Sequence, residues 1–136
     1  MRYATHFILL FVLIMIQFLP AQQSGWTILN PVPQSVSMRR IFAFDENTVI
    51  GMGRYDVWKT TDGGLNWTSI LNNSSGVDGF FIDDNVGWVI SGGDTILHTT
   101  DGGNTWTIQT ISTSDILLLP FFINDSTGWV VGTESY

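Results

Sequence analysis

From Ile41 onward the chain alternates short apolar runs with clusters of Asp, Asn and Gly, a punctuation that predicts β-strands joined by tight turns. The clearest stretch gives four strands, roughly 77–82, 87–91, 95–99 and 105–110. Between them lie Asp83-Asp84-Asn85, Gly92-Gly93-Asp94 and Asp101-Gly102-Gly103. Asp and Asn side chains bond their own nearby backbone and Gly supplies positive φ, so these clusters have the chemistry of hairpin turns. β-Branched and aromatic residues fill the strands, and no helical period follows Ala21.

The pattern repeats. Thr60-Thr61-Asp62-Gly63-Gly64-Leu65-Asn66-Trp67 returns further along as Thr99-Thr100-Asp101-Gly102-Gly103-Asn104-Thr105-Trp106. Phe80-Phe81-Ile82-Asp83, leading to Gly87-Trp88-Val89, returns as Phe121-Phe122-Ile123-Asn124, leading to Gly128-Trp129-Val130. A worn first copy reads Phe42-Ala43-Phe44-Asp45-Glu46-Asn47-Thr48 and then Val49-Ile50; it lacks a counterpart of Gly87, which predicts a turn one residue shorter. Four antiparallel strands in a unit of about 40 residues make a propeller blade, so the fold class is all-β and the architecture an incomplete β-propeller. Residues 22–37 read as an orphan outer strand and linker, 38–75 and 76–115 as two blades, and 116–136 as half a blade. Trp26-Thr27-Ile28 resembles the start of a fourth strand with no turn before it, as a closed ring uses to complete its last blade. Two and a half blades fall short of the roughly four to eight in a ring, so the chain reads as the N-terminal piece of a longer protein.

The segment from Met1 to Ala21 differs in kind. Arg2 and His6 precede an apolar run from Phe7 to Ile16, extended by Phe18 and Leu19 and followed by Pro20-Ala21. A basic start, a short apolar core and a small residue at its end read as a secretory signal peptide, 1–21, with cleavage expected after Ala21. The run is too short to cross a bilayer, which takes roughly 20 apolar residues, so no membrane span is expected once the signal is removed. The expected location is periplasm, cell surface or medium, and the exporting cell is expected to be bacterial.

Cysteine is absent, which excludes disulfides, thiol catalysis and zinc–thiolate sites. Five Lys and Arg stand against twelve Asp and Glu, and the net charge is −7. So acidic a chain is not expected to bind nucleic acid or an anionic membrane by charge. His98 occupies the place of Lys59 in the preceding unit and, with no second His nearby, reads as a strand-surface residue rather than a metal ligand. Asp83-Asp84 and Asp45-Glu46 do not have the spacing of a calcium loop. Arg39-Arg40 reads as a solvated pair at a strand start, with contact to an anionic partner as the sharper alternative. No metal or cofactor is implied.

Thr60, Asp62, Gly64 and Trp67, with Thr99, Asp101, Gly103 and Trp106, form the pattern Thr-x-Asp-x-Gly-x-x-Trp. This resembles the Asp-box, or bacterial neuraminidase repeat. As a device, its Asp accepts backbone N–H bonds across a hairpin, its Gly frees the backbone and its Trp packs between blades. The fuller unit resembles the repeats of the photosystem II assembly and stability factor family, which also fill large secreted bacterial proteins. That resemblance covers everything from Gly25 onward. It implies a propeller in which the Asp-boxes are structural and lie at the blade periphery, away from ligands. It also admits a glycoside hydrolase. A sialidase would need an arginine cluster, whereas only Arg39, Arg40 and Arg54 follow the signal. A xyloglucanase-like enzyme would need paired acids such as Asp45, Asp83, Asp84 and Asp125, but these recur at turns. The reading is therefore an exported, non-catalytic binding or scaffold module with a protein or glycan partner. The alternative is a glycosidase whose acids lie in further blades.

Overall fold

The computed structural model describes residues 37–72 and 78–134; the segment expected to be a signal peptide, 1–21, and the expected orphan strand at Trp26 lie outside them. The described chain is all-β. Strands β1 (Arg40–Ala43), β2 (Val49–Met52), β3 (Val57–Thr60) and β4 (Thr68–Leu71) form one antiparallel sheet in the order β1-β2-β3-β4. Strands β5 (Asp78–Phe81), β6 (Gly87–Ile90), β7 (Thr95–Thr99) and β8 (Thr107–Thr110) form a second with the same order. β9 (Ile116–Asn124) and β10 (Thr127–Thr133) make a two-stranded hairpin. These are two four-stranded blades and the start of a third, with no closed ring among the described residues.

The blades pack face to face in chain order, and alternation along each strand assigns the residues to the two faces. Ile50, Met52 and Val57 of the first blade meet Phe81 and Val89 of the second in one buried cluster. The opposite face of the second blade supplies Trp88, Ile90 and Ile96 to another cluster, where they meet Leu117, Phe122 and Val130 of the hairpin. β6 is covered on both sides, so all four of its residues are buried, whereas every residue of the outer strand β8 is exposed. Each fully buried aliphatic side chain contributes roughly 1.5–3 kcal/mol. Phe42, Phe80 and Phe121, one from the first strand of each unit, form a ladder across the blades with centroids 6.0 and 5.0 Å apart.

The first turn is not shortened. Asp45 Oδ1 accepts the N–H groups of Asn47 and Thr48, as Asp83 Oδ1 accepts those of Asn85 and Val86. Ala43 pairs with Val49 where Phe81 pairs with Gly87, so Val49 stands in the glycine's place. The cause is volume: a Cβ on Gly87 would lie 2.2 Å from the Phe81 ring, and Gly128 meets Phe122 in the same way at 2.3 Å. In the first blade the bulky partner has become Ala43, so its neighbour can be a valine.

Candidate functional site

The Asp-Gly-Gly turns join β3 to β4 and β7 to β8, and they recur with nearly the same geometry. Thr60 Oγ1 donates to Asp62 Oδ1 at 2.8 Å and accepts from the Gly64 N–H at 3.0 Å. Asp62 also accepts the Asn66 backbone N–H at 2.8 Å and the Asn66 side-chain amide at 2.7 Å. In the second turn, Thr99 Oγ1 donates to Asp101 at 2.9 Å and accepts from Gly103 N–H at 2.9 Å. Asp101 takes the Thr105 N–H at 2.8 Å and the Thr105 hydroxyl at 2.7 Å. The glycines supply the positive φ that this path demands, 68° and 89° at Gly63 and Gly64, 70° and 88° at Gly102 and Gly103. Thr60 and Thr99 are buried although polar, because each hydroxyl is spent within its own turn.

These bonds fix the charge state of the acids. The Thr105 hydroxyl, then the Thr105 N–H, hold the Asp101 carboxyl down at about 2. Asp62 is lowered chiefly by the Asn66 N–H, and Asp45 by the N–H groups of Thr48 and Asn47. Each carboxylate is thus held as an anion by donors from its own turn, unsuited to giving up a proton near neutral pH. Among the described residues, no group of three or more His, Asp or Glu side chains is placed to hold a metal ion.

Each turn is also anchored to neighbours. Gly63 donates to the Asn47 carbonyl and Gly102 to the Asn85 carbonyl, both at 2.9 Å, so the Asp-Gly-Gly turn leans on the first hairpin of its own blade. Trp106 crosses to the first blade, donating its indole N–H to the Ile70 carbonyl at 2.9 Å and meeting Phe81 edge-on. Lys59 crosses the other way and donates to the Asp84 carbonyl at 2.6 Å. Between the two turns lies a cleft of about 320 Å³ with a mixed polar and apolar lining, to which Lys59, Asp62, Asn66, Ile70 and Asn104 contribute. The structure therefore brings Asp62 and the second Asp-Gly-Gly turn to one rim.

The acids Asp45 and Asp83 sit in separate turns, each accepting backbone N–H groups. Asp84 receives the Asn85 amide. Two placements depart from the sequence reading. His98 is not a surface residue; its ring stacks on Trp88 at 4.8 Å, half-buried, with Nε2 lacking a partner. Trp88 in turn stacks on Phe122 at 3.6 Å. Arg40 is not simply solvated. Its guanidinium forms a two-pronged ion pair with Asp78, one Nη–Oδ contact being 3.0 Å, between equivalent positions of neighbouring first strands. The arginine and the aspartate stand at the same repeat position with opposite charge, which is the signal that could have found the pair.

No protein-family model, no curated protein and no solved structure matches the chain.

Proposed function

We propose that this chain is part of an exported, non-catalytic β-propeller of the Asp-box type, with repeats like those of photosystem II assembly factors, that presents a rigid surface to a protein or glycan partner. The observation that carries this reading is the commitment of Asp62 and Asp101. The most regular acids of the sequence are held as anions by donors of their own turns, which suits a scaffold and makes them poor proton donors near neutral pH.

Recognition falls to the opposite end of the blades. Successive turns of an antiparallel sheet alternate between its two ends, so the Asp-Gly-Gly turns share one end with the β1–β2 and β5–β6 turns. The other end carries the β2–β3 and β6–β7 turns. There the Arg54 guanidinium lies over the Tyr55 ring at 5.1 Å, and Tyr55 is exposed. An exposed aromatic stiffened by a cation is the kind of group that stacks on a sugar face or anchors a peptide.

The test is binding of the full chain to glycan and peptide arrays, repeated with Tyr55→Ala and Asp101→Ala. Binding lost with Tyr55→Ala and kept with Asp101→Ala, at temperatures where both are folded, supports the reading. Release of reducing sugar from xyloglucan or a sialoside, abolished by changing an acid, would replace it with the glycosidase reading.

A further inference from the structure

β2 and β6 each pair on both sides, whereas β10, their counterpart in the third unit, pairs with β9 alone among the described residues. Its far edge is open. Gly128 and Gly132, which have only backbone to expose, are both exposed, while Gly87 in β6 is buried. Pro120 stands opposite Val130 and has no N–H to give it, so the Val130 N–H and C=O turn to the open side. Gly79, the counterpart of Pro120, likewise gives its N–H to Asp78 Oδ1 rather than to Val89 opposite it. Edge strands are ordinarily blunted by charge, proline or shortness. Here β1 carries Arg40, β5 carries Asp78, β9 contains Pro120, and β4 and β8 have four residues each. β10 has seven residues with no charge and no proline, and its Trp129 and Val131 are 59% and 56% exposed. An edge built in this way is a template for another strand.

The order of residues along the edge selects the partner. Thr127-Gly128-Trp129-Val130-Val131-Gly132-Thr133 reads nearly the same in both directions about Val130. We propose that β10 strands of two copies of this chain pair antiparallel across a two-fold axis at Val130, joining the hairpins into one four-stranded sheet. In that register Thr127 faces Thr133, Gly128 faces Gly132 and Trp129 faces Val131 of the second copy, and each pair occurs twice. Thr–Thr and aromatic–β-branched pairs are favoured across strands, and glycine opposite glycine adds no side chain to obstruct the approach. Val130 meets Val130, where each outward N–H finds the other's outward C=O. On β9, Phe121 stands beside Trp129 and Leu119 beside Val131, all four exposed, so each new Trp–Val pair extends an apolar row across four strands. The nearby acid Glu134 falls opposite Ser126, so it faces no like charge. A two-fold contact consumes both edges, and assembly stops at the dimer.

The test uses the full chain at submillimolar concentration, with its mass in solution read by sedimentation equilibrium. The parent is expected at twice the chain mass. Trp129→Lys should weaken the dimer by about tenfold or more, and because the side chain is exposed its urea midpoint should stay near the parent's. Val131→Glu should do the same. An equimolar mixture of these two variants should dimerise again, because it forms one pair of opposite charge and one parental Trp–Val pair. A mixture that stays monomeric overturns the proposal. The sequence has no cysteine, so a second arm is free of background. Under mild oxidation, Trp129→Cys mixed with Val131→Cys should form a disulfide between the chains. Neither should do so alone, since like positions are offset by two residues across the axis. A monomeric parent, a polymer that grows with concentration, or disulfides formed equally well by the single variants overturns the proposal. If the charged variants do not fold, the cysteine arm decides.

Discussion

Trp106 of the second blade donates its indole N–H to the Ile70 main-chain carbonyl of the first, so one turn residue fastens two blades. Trp106→Phe keeps most of the ring and removes the donor. It should lower unfolding stability by about 1 kcal/mol, the usual net value of one hydrogen bond. Trp106→Ala should cost several times more, since it also removes the edge contact with Phe81. Urea titration of the three chains checks both, and equal losses for Phe and Ala would show that the bond matters more than the packing.

Acid sensitivity follows from Asp101. Its carboxyl is lowered from 3.8 to about 2 in the folded chain, so folding favours the anion. The resulting stability is fully present above the unfolded value near 3.8 and is lost as pH falls through about 2. Asp101→Asn should therefore be less stable than the parent at pH 7 and converge with it in strong acid. Melting curves recorded across this range should show a shallower acid limb for the variant. A parallel offset at every pH would mean that shape rather than charge holds the turn.

Phe81 and Gly87 form a large–small pair that Ala43 and Val49 invert. Gly87→Val alone should be destabilising by about 1–3 kcal/mol through overpacking. The same change in a Phe81→Ala background should cost much less, because the ring that the new side chain would strike is gone. The coupling energy from the double-mutant cycle is expected to be about 1–3 kcal/mol. Additive effects would refute this account of the worn first unit.

The β9–β10 hairpin is held through Phe122, stacked on Trp88, and through Leu117 beneath it. Phe122→Ala should cost about 3–5 kcal/mol at that interface and release the hairpin before the two blades unfold. Limited proteolysis should then cut within 116–133 first. Unchanged cleavage would place the docking energy elsewhere.

The ion pair between Arg40 and Asp78 should matter little. The arginine side chain is 40% exposed, so Arg40→Ala is expected to change stability by only about 0.2–1 kcal/mol beyond lost packing. That difference should fade in about 1 M salt, where the screening length is near 3 Å.

The strands and turns were largely legible in the sequence because turn chemistry is local. Strands expected over 77–82, 87–91, 95–99 and 105–110 lie at 78–81, 87–90, 95–99 and 107–110. Asp, Asn and Gly in the right order fix such turns without help from distant residues. What sequence reading missed depends on contact between units. Val49 reads as the sign of a lost residue because the compensating change, Phe to Ala at position 43, faces it only once the strands pair. His98 reads as a surface residue because its cover comes from Trp88 on the adjacent strand. In the site, the bonding of Asp62 and Asp101 could be foreseen from their own turns, while the reach of Lys59 to Asp84 could not, since it crosses between blades.

The ladder of Phe42, Phe80 and Phe121 has a consequence for how such a chain can change over generations. Each ring meets its counterpart in the next unit, and the rungs are chemically identical. Excision of the middle unit by recombination between repeats would bring Phe42 against Phe121 and require no new side chain at that joint. Duplication would insert another rung on the same terms. Copy number can thus change while this aromatic rung of the joint is preserved.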